Sequence, residues 1–276
     1  MVIVTDLIWK LKKGDVRKGF YMDPKLKKNL DFIFKKVMDE KYMASICIDG
    51  RPGSGKSTLY SQIAYYLNYL NNKELTLDQL SFNIPQFREM VQKAIPGNCC
   101  CLDEAIDASS RTAMSQRNIL LVKLMAQVRS KRLFLFFNLP SIFDLDRNIA
   151  LHRIDLLIHC PSESFEKRGR FVAYFGKNIK SLYLNGKKTY SYSSRFNFRG
   201  TFTQRFCLNE KEYEERKQTA VNSIDNITKP RETQKIGRDN LIKHLRESQK
   251  LTYKQIAEIV GNISCEEVGC VCRGER

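Results

Sequence analysis

The run Gly50-Arg51-Pro52-Gly53-Ser54-Gly55-Lys56-Ser57, followed by Thr58, constrains this chain more than any other stretch. It fits the spacing G-x-x-x-x-G-K-[ST] at every fixed position. Before it, Ala44-Ser45-Ile46-Cys47-Ile48 is a short apolar run that predicts a buried strand. After it, Leu59, Ile63, Tyr66, Leu67 and Leu70 keep helical spacing. Strand, glycine loop and helix start together favour phosphate. The glycines let the backbone turn its N–H groups inward, and the helix dipole stabilises negative charge at that point. In such a loop Lys56 reaches the β- and γ-phosphates and Ser57 holds Mg²⁺. Residues Gly50, Arg51, Pro52, Gly53, Ser54, Gly55, Lys56, Ser57 and Thr58 are therefore expected to bind a nucleoside triphosphate.

Two further strand ends carry polar residues. Cys99-Cys100-Cys101-Leu102 predicts a strand that runs into Asp103-Glu104. Adjacent strand residues point to opposite faces, so three successive cysteines read as small buried residues rather than ligands of one ion. An acid at the end of a strand beside the phosphate loop can hold Mg²⁺ through water. The carboxylate directly after it can polarise an attacking water. The alternative is a helix N-cap, since Ala105 and Ile106 follow. Leu133-Phe134-Leu135-Phe136-Phe137 is a continuous apolar run that predicts a central parallel strand ending at Asn138. An amide level with the loop can bond the γ-phosphate or the attacking water; the alternative is a turn residue ahead of Pro140. Residues Asp155 to Cys160 predict another buried strand. Strands alternating with helices imply an α/β fold with a mainly parallel sheet and a ligand at the strands' carboxyl ends.

The flanks are organised around this core. Asp23-Pro24 signals a helix start ahead of Leu26, Leu30, Ile33, Phe34 and Val37. From Gly169 the pattern alternates: Phe171–Phe175 and Ser181–Leu184 read as strands, and Asn185-Gly186 between the second and Lys187–Tyr192 reads as a hairpin turn. Glu210 to Ser223 predicts a charged helix, and Asp225 to Gly237 has linker composition. Beyond it, three short helices are expected, with Thr252 and Ser264 as caps, resembling a helix-turn-helix unit. Such a unit either reads DNA or docks a protein. Four regions follow: a lead-in over 1–41, a nucleotide-binding core with β-hairpin extension over 42–208, a helix and linker over 209–237, and a small helical domain over 238–276.

Charge and composition narrow the partners. The chain has 276 residues and a net charge of +17; 34 of its 47 basic and 18 of its 30 acidic residues lie in Met1–Leu208. A basic core implies a polyanionic partner, most often nucleic acid. Interleaved Tyr and Lys near the expected hairpin fit such a surface, or a solubilised edge strand. No apolar run approaches the roughly 20 residues that cross a bilayer. Nine cysteines without a secretion signal read as reduced thiols of a cytoplasmic or virus-associated protein.

Phosphate loop, Asp-Glu strand end and polar strand end stand in the order of the RecA-like P-loop ATPases whose catalytic glutamate follows the Mg²⁺ aspartate. Asp103-Glu104-Ala105 and Asn138-Leu139-Pro140-Ser141-Ile142-Phe143-Asp144-Leu145-Asp146-Arg147 are similar to the FtsK/HerA branch of that superfamily. The branch includes DNA-pumping translocases, conjugation coupling ATPases, viral genome-packaging ATPases and Zot-like phage assembly proteins. The resemblance covers Tyr42 to Cys160. It departs at Asn138, where many members carry Gln, and in lacking the large extra domains of cellular translocases. It implies a RecA-like core that binds ATP and Mg²⁺, with Lys56 and Ser57 on phosphate and metal and Asp103 completing the metal shell. Glu104 then activates water and Asn138 senses the γ-phosphate. It also implies a homo-oligomeric ring, expected as a hexamer, that moves DNA and meets a capsid or transfer-apparatus protein. In the ring an arginine from the next subunit acts on the phosphates. Arg129 and Arg132 are the first candidates, Arg147 and Arg153 the reserve. A nucleotide or small-molecule kinase and an ATP-switched DNA-binding regulator are the alternatives.

Overall fold

The computed structural model describes residues 9–11, 15–17, 20–103, 111–161, 169–227, 230–261 and 263–273. Two short antiparallel strands come first, β1 (Trp9–Leu11) and β2 (Asp15–Arg17). Helix α1 (Pro24–Met38) begins where Asp23-Pro24 predicts it. The Asp23 carboxylate accepts from the N–H groups of Lys25 and Leu26, and Pro24 fills a first-turn position that needs no N–H. Strand β3 (Ala44–Asp49) is buried at every position and leads through the glycine loop into α2 (Lys56–Leu70).

The chain then alternates. Strand β4 (Leu80–Ser81), helix α3 (Ile84–Lys93) and strand β5 (Cys99–Asp103) are followed by α4 (Arg111–Gln127) and β6 (Phe134–Leu139). Next come α5 (Arg147–His152), β7 (Leu156–His159), β8 (Arg170–Phe175), α6 (Lys177–Gly186) and β9 (Phe198–Thr201). Helices α7 (Glu210–Ile227), α8 (Pro230–Gln249), α9 (Tyr253–Val260) and α10 (Cys265–Arg273) complete the described chain.

Among the described residues, one seven-stranded sheet has the order β4-β5-β6-β3-β7-β8-β9. Strands β4 to β7 run parallel, while β8 and β9 add on antiparallel. The fold is therefore α/β with a mostly parallel sheet. Because side chains alternate across a strand, each face has its own core. Cys99, Cys101, Phe134, Phe136, Ile46 and Ile48 join α1 and α2 on one face. Cys47, Cys100, Leu102, Leu135 and Phe137 join the residues of α3, α4 and α5 on the other. The three successive cysteines are divided between these two cores. Burial pushes their thiols up, Cys100 to about 12, which keeps them neutral.

The structure corrects two expectations. The stretch Ser181–Leu184 and its Asn185-Gly186 turn do not form a hairpin, because residues 177–186 are the helix α6. Ile179, Leu182, Tyr183 and Gly186 are its buried residues, at spacings of three, four and seven, and this helical stripe overrides the Asn-Gly signal. Strands β8 and β9 do pair antiparallel, but a helix and a long connection join them. The expected linker is also largely helical: α7 reaches Ile227 and α8 starts at Pro230, a residue well suited to a first turn.

The chain divides into two compact units, Met1–Ala220 and Val221–Arg276. The second has its own small core of Ile242, Leu245, Ile256, Val268 and Val271. Thr252 and Gln255 form a reciprocal capping box at α9. Ser264 and Glu267 exchange the same pair of bonds at α10. Among the described residues no helix is long and apolar enough to cross a membrane.

Candidate active site

Strand order brings the polar strand ends together. Strand β6 lies between β3 and β5, with Ile48 facing Asn138 and Asn138 facing Asp103 in register. Two residues past Ile48 the backbone leaves the sheet as the glycine loop. Its first peptide is anchored by Gly50 N–H donating to the Pro140 carbonyl at 3.3 Å. Gly50 has φ +145°, and a Cβ there would stand 2.4 Å from the Cys160 carbonyl oxygen. Gly55, with φ +94°, precedes α2, and a Cβ there would meet the Phe202 ring at 3.0 Å. The loop thus needs glycine at both places for conformation and for room.

Lys56 opens α2 and is 5% exposed; its Nζ donates to the carbonyls of Gly50 at 2.7 Å and Arg51 at 3.1 Å. These are bonds that phosphate oxygens can take over. Ser57 Oγ lies 3.1 Å from Asp103 Oδ2 and 3.3 Å from Oδ1. Asp103 is 2% exposed, and Asn138 Nδ2 donates to its Oδ1 at 2.9 Å. The structure therefore brings Lys56, Ser57, Asp103 and Asn138 to one edge of the sheet. Arg51, Pro52 and Gly53 lie exposed in the loop, while Ser54 is buried and Thr58 half-buried. Glu104 lies outside the described residues.

Arg129 and Arg132 precede β6, at the amino edge of the sheet. Six residues of extended chain separate Arg132 from Asn138, roughly 20 Å, so neither reaches the phosphate loop of its own chain. Arg147 is exposed at the start of α5 and Arg153 closes that helix.

Two further side chains adjoin this edge of the sheet. Tyr213, on α7, is 4% exposed and places its hydroxyl 2.8 Å from Asp103 Oδ2 and 3.1 Å from Ser57 Oγ. Its ring lies against Phe206 and Phe82, at centroid distances of 5.0 and 5.8 Å. The preceding segment is tied to α2: Gln62 donates to the carbonyls of Thr203 at 2.7 Å and Arg205 at 2.8 Å, and Cys207 N–H donates to Ser61 Oγ at 3.0 Å. Burial, and then the Asp103 charge, hold the Tyr213 phenol far above its ordinary value, so it stays protonated. The only sequence signal was one aromatic residue in an otherwise charged helix.

The second neighbour is Asp49, fully buried at the end of β3. Its Oδ2 accepts from the Ile142 N–H at 2.8 Å and from the Tyr192 hydroxyl, and its Oδ1 lies 2.8 Å from His159 Nδ1. Tyr192 stacks on the His159 ring, with centroids 3.5 Å apart and planes 15° from parallel. This cluster ties the root of the phosphate loop to the segment after β6, the end of β7 and the segment after α6.

The residues fit a metal-bound triphosphate. Ser54 Oγ and Asn138 Oδ1 are buried and find no hydrogen-bond partner among the described residues. Buried polar atoms are rarely left so, and both lie where a phosphate or a hydrated cation would meet them. The side-chain oxygens of Ser57, Asp103 and Asn138 are hard donors of the kind Mg²⁺ takes. A scan against protein-family models, a search of curated proteins and a search of solved structures returned no match.

Proposed function

We propose that this chain is a Mg²⁺-dependent ATPase with a RecA-like core, working as a DNA translocase or genome-packaging motor of the FtsK/HerA type in a homo-oligomeric ring. The observation that carries the ATPase reading is the convergence of Lys56, Ser57, Asp103 and Asn138 at one sheet edge, with β6 interposed between loop strand and acid strand. That interposition sets an amide between phosphate loop and metal-binding acid, where it can follow the γ-phosphate.

In this reading the N–H groups of Gly53 to Ser57 and the Lys56 ammonium bind the β- and γ-phosphates, releasing the ammonium from the loop carbonyls. Ser57 and Asp103 would hold Mg²⁺, which when bound neutralises phosphate charge. Glu104 takes a proton from the attacking water, and Asn138 orients that water or the γ-phosphate. Buried strand ends keep Asp103 and Asn138 fixed before substrate arrives.

Charge supports a nucleic-acid partner. Gly169–Leu208 contains eight basic residues and no acidic one, and Lys177, Lys180, Lys187, Lys188, Arg195 and Arg199 are all exposed. A helix-turn-helix-like role for α8 to α10 belongs to the same proposal. Its last helix opens with Glu266 and Glu267, which disfavours close approach to phosphates. The test is the rate of ATP hydrolysis with and without single- and double-stranded DNA, beside the mass of the oligomer. The motor predicts hydrolysis that DNA of unrelated sequences accelerates, and binding that falls steeply with salt. Stoichiometric phosphate transfer to a nucleoside or nucleotide, without stimulation by DNA, would establish the kinase instead. Sequence-specific binding that survives loss of Glu104 would establish the regulator.

A further inference from the structure

Tyr213 gives the metal site a member outside the loop and strand ends. Three oxygens form a near-equilateral triangle: Ser57 Oγ to Asp103 Oδ2 is 3.1 Å, Ser57 Oγ to Tyr213 Oη 3.1 Å, and Tyr213 Oη to Asp103 Oδ2 2.8 Å. Each hydroxyl has one proton. Ser57 is placed to donate to Asp103, and Tyr213 to Asp103 or to Ser57. Two protons cannot serve three edges, so one pair of oxygens about 3 Å apart is always left without a proton between them. When the carboxylate draws both protons, the bare edge is the one between the two hydroxyl oxygens, and a cation lying against both would relieve it. Neighbouring ligands of an octahedral Mg²⁺, at about 2.1 Å from the ion, are themselves separated by about 3 Å.

We propose that the Tyr213 hydroxyl is a second protein ligand of Mg²⁺ beside Ser57, with Asp103 behind both, accepting their hydrogen bonds and raising the basicity of their oxygens. This rests on the nucleotide-binding reading above and extends its metal site to α7. The placement is built rather than incidental. The ring is held between Phe82 and Phe206, and the chain leading to it is fastened to α2 through Gln62 and Ser61. A phenol placed this way would ligate as an alcohol does, through a lone pair, while it keeps its proton and donates it in a hydrogen bond to Asp103.

The test is equilibrium binding of a fluorescent ATP analogue across a Mg²⁺ titration, for the full chain and for Tyr213→Phe, which keeps the packed ring and removes only the oxygen. A cooperative melting transition in EDTA establishes that the variant is folded. The ligand role predicts that the Mg²⁺ concentration for half-maximal nucleotide binding rises about tenfold or more in the variant. An unchanged requirement would reduce the hydroxyl to a packing role, and a lower one would mean that the ion displaces it; either overturns the proposal while the nucleotide reading stands. Failure of the unmodified chain to bind the analogue at any Mg²⁺ concentration would overturn both.

Discussion

Two aspartates at opposite edges of the same sheet are each met by a tyrosine hydroxyl, yet their surroundings differ. Asp155, just before β7 at the amino edge, is half-buried and accepts from the Tyr42 hydroxyl at 2.6 Å and from the Ser45 N–H at 2.8 Å. Asp103, at the carboxyl edge, accepts from Tyr213, Ser57 and Asn138. Burial raises the Asp155 carboxyl above its ordinary value, and burial with the Asp155 charge raises Tyr42 to about 12. The chemistry of the two pairs is alike. The difference lies in what remains around them. At Asp155 a strand amide completes the arrangement. At Asp103 the partners are three side chains, of which the Ser57 and Tyr213 hydroxyls also lie 3.1 Å from each other and Asn138 Oδ1 has no partner among the described residues. Burial and an Asp–Tyr bond do not make a site; oxygens converging with acceptor capacity left over do.

The comparison can be broken by substitution. The largest effect expected from it is at Lys56, whose ammonium serves the carboxyl edge alone. Lys56→Ala should weaken ATP binding by about 3 kcal/mol, roughly a hundredfold, as read by fluorescent nucleotide titration. Next come the two aspartates themselves. Asp103→Asn should raise the Mg²⁺ requirement for nucleotide binding about tenfold or more, while Asp155→Asn leaves it unchanged. In stability the Asp155→Asn change should be below about 1 kcal/mol, because an amide can still accept from Ser45 and pair with Tyr42. Its pH dependence has a definite sign. A raised folded-state value means that Asp155 favours the fold below the ordinary carboxylate range, and that this contribution is lost as pH rises through the raised value. Denaturant titrations at several pH values should therefore show Asp155→Asn gaining on the natural chain as pH increases. A parallel response of both aspartates to Mg²⁺ would end the distinction between the edges.

What the sequence disclosed follows from the range of the interactions. Strands β3, β5 and β6 are legible because each is buried on both faces, so each reads as a mainly apolar run that leads to a polar residue at its end. Asp23, Thr252 and Ser264 are legible as caps because a cap acts within three residues. Helix α6 is hidden in the sequence because Asn185-Gly186 is also a hairpin-turn signature. In the fold, Gly186 is the buried end of the helical stripe, where a Cβ would stand 2.2 Å from the Ser191 carbonyl oxygen. Tyr213 and Asp49 are illegible for a different reason. Their partners lie more than 90 residues away in the chain: Tyr213 meets Asp103 across 110 residues, and Asp49 meets Ile142 across 93. No local pattern records such a contact.

The central claim, that the carboxyl edge hydrolyses ATP rather than merely holding it, is tested most directly at Glu104. Nucleotide affinity and steady-state hydrolysis should be measured side by side on Glu104→Gln and on the natural chain. Loss of a general base typically lowers the rate 10²–10⁴-fold, about 3–5 kcal/mol of barrier. The account predicts a fall in turnover of about that size with ATP affinity retained. Turnover close to that of the natural chain would contradict it and would leave the residue as a helix cap.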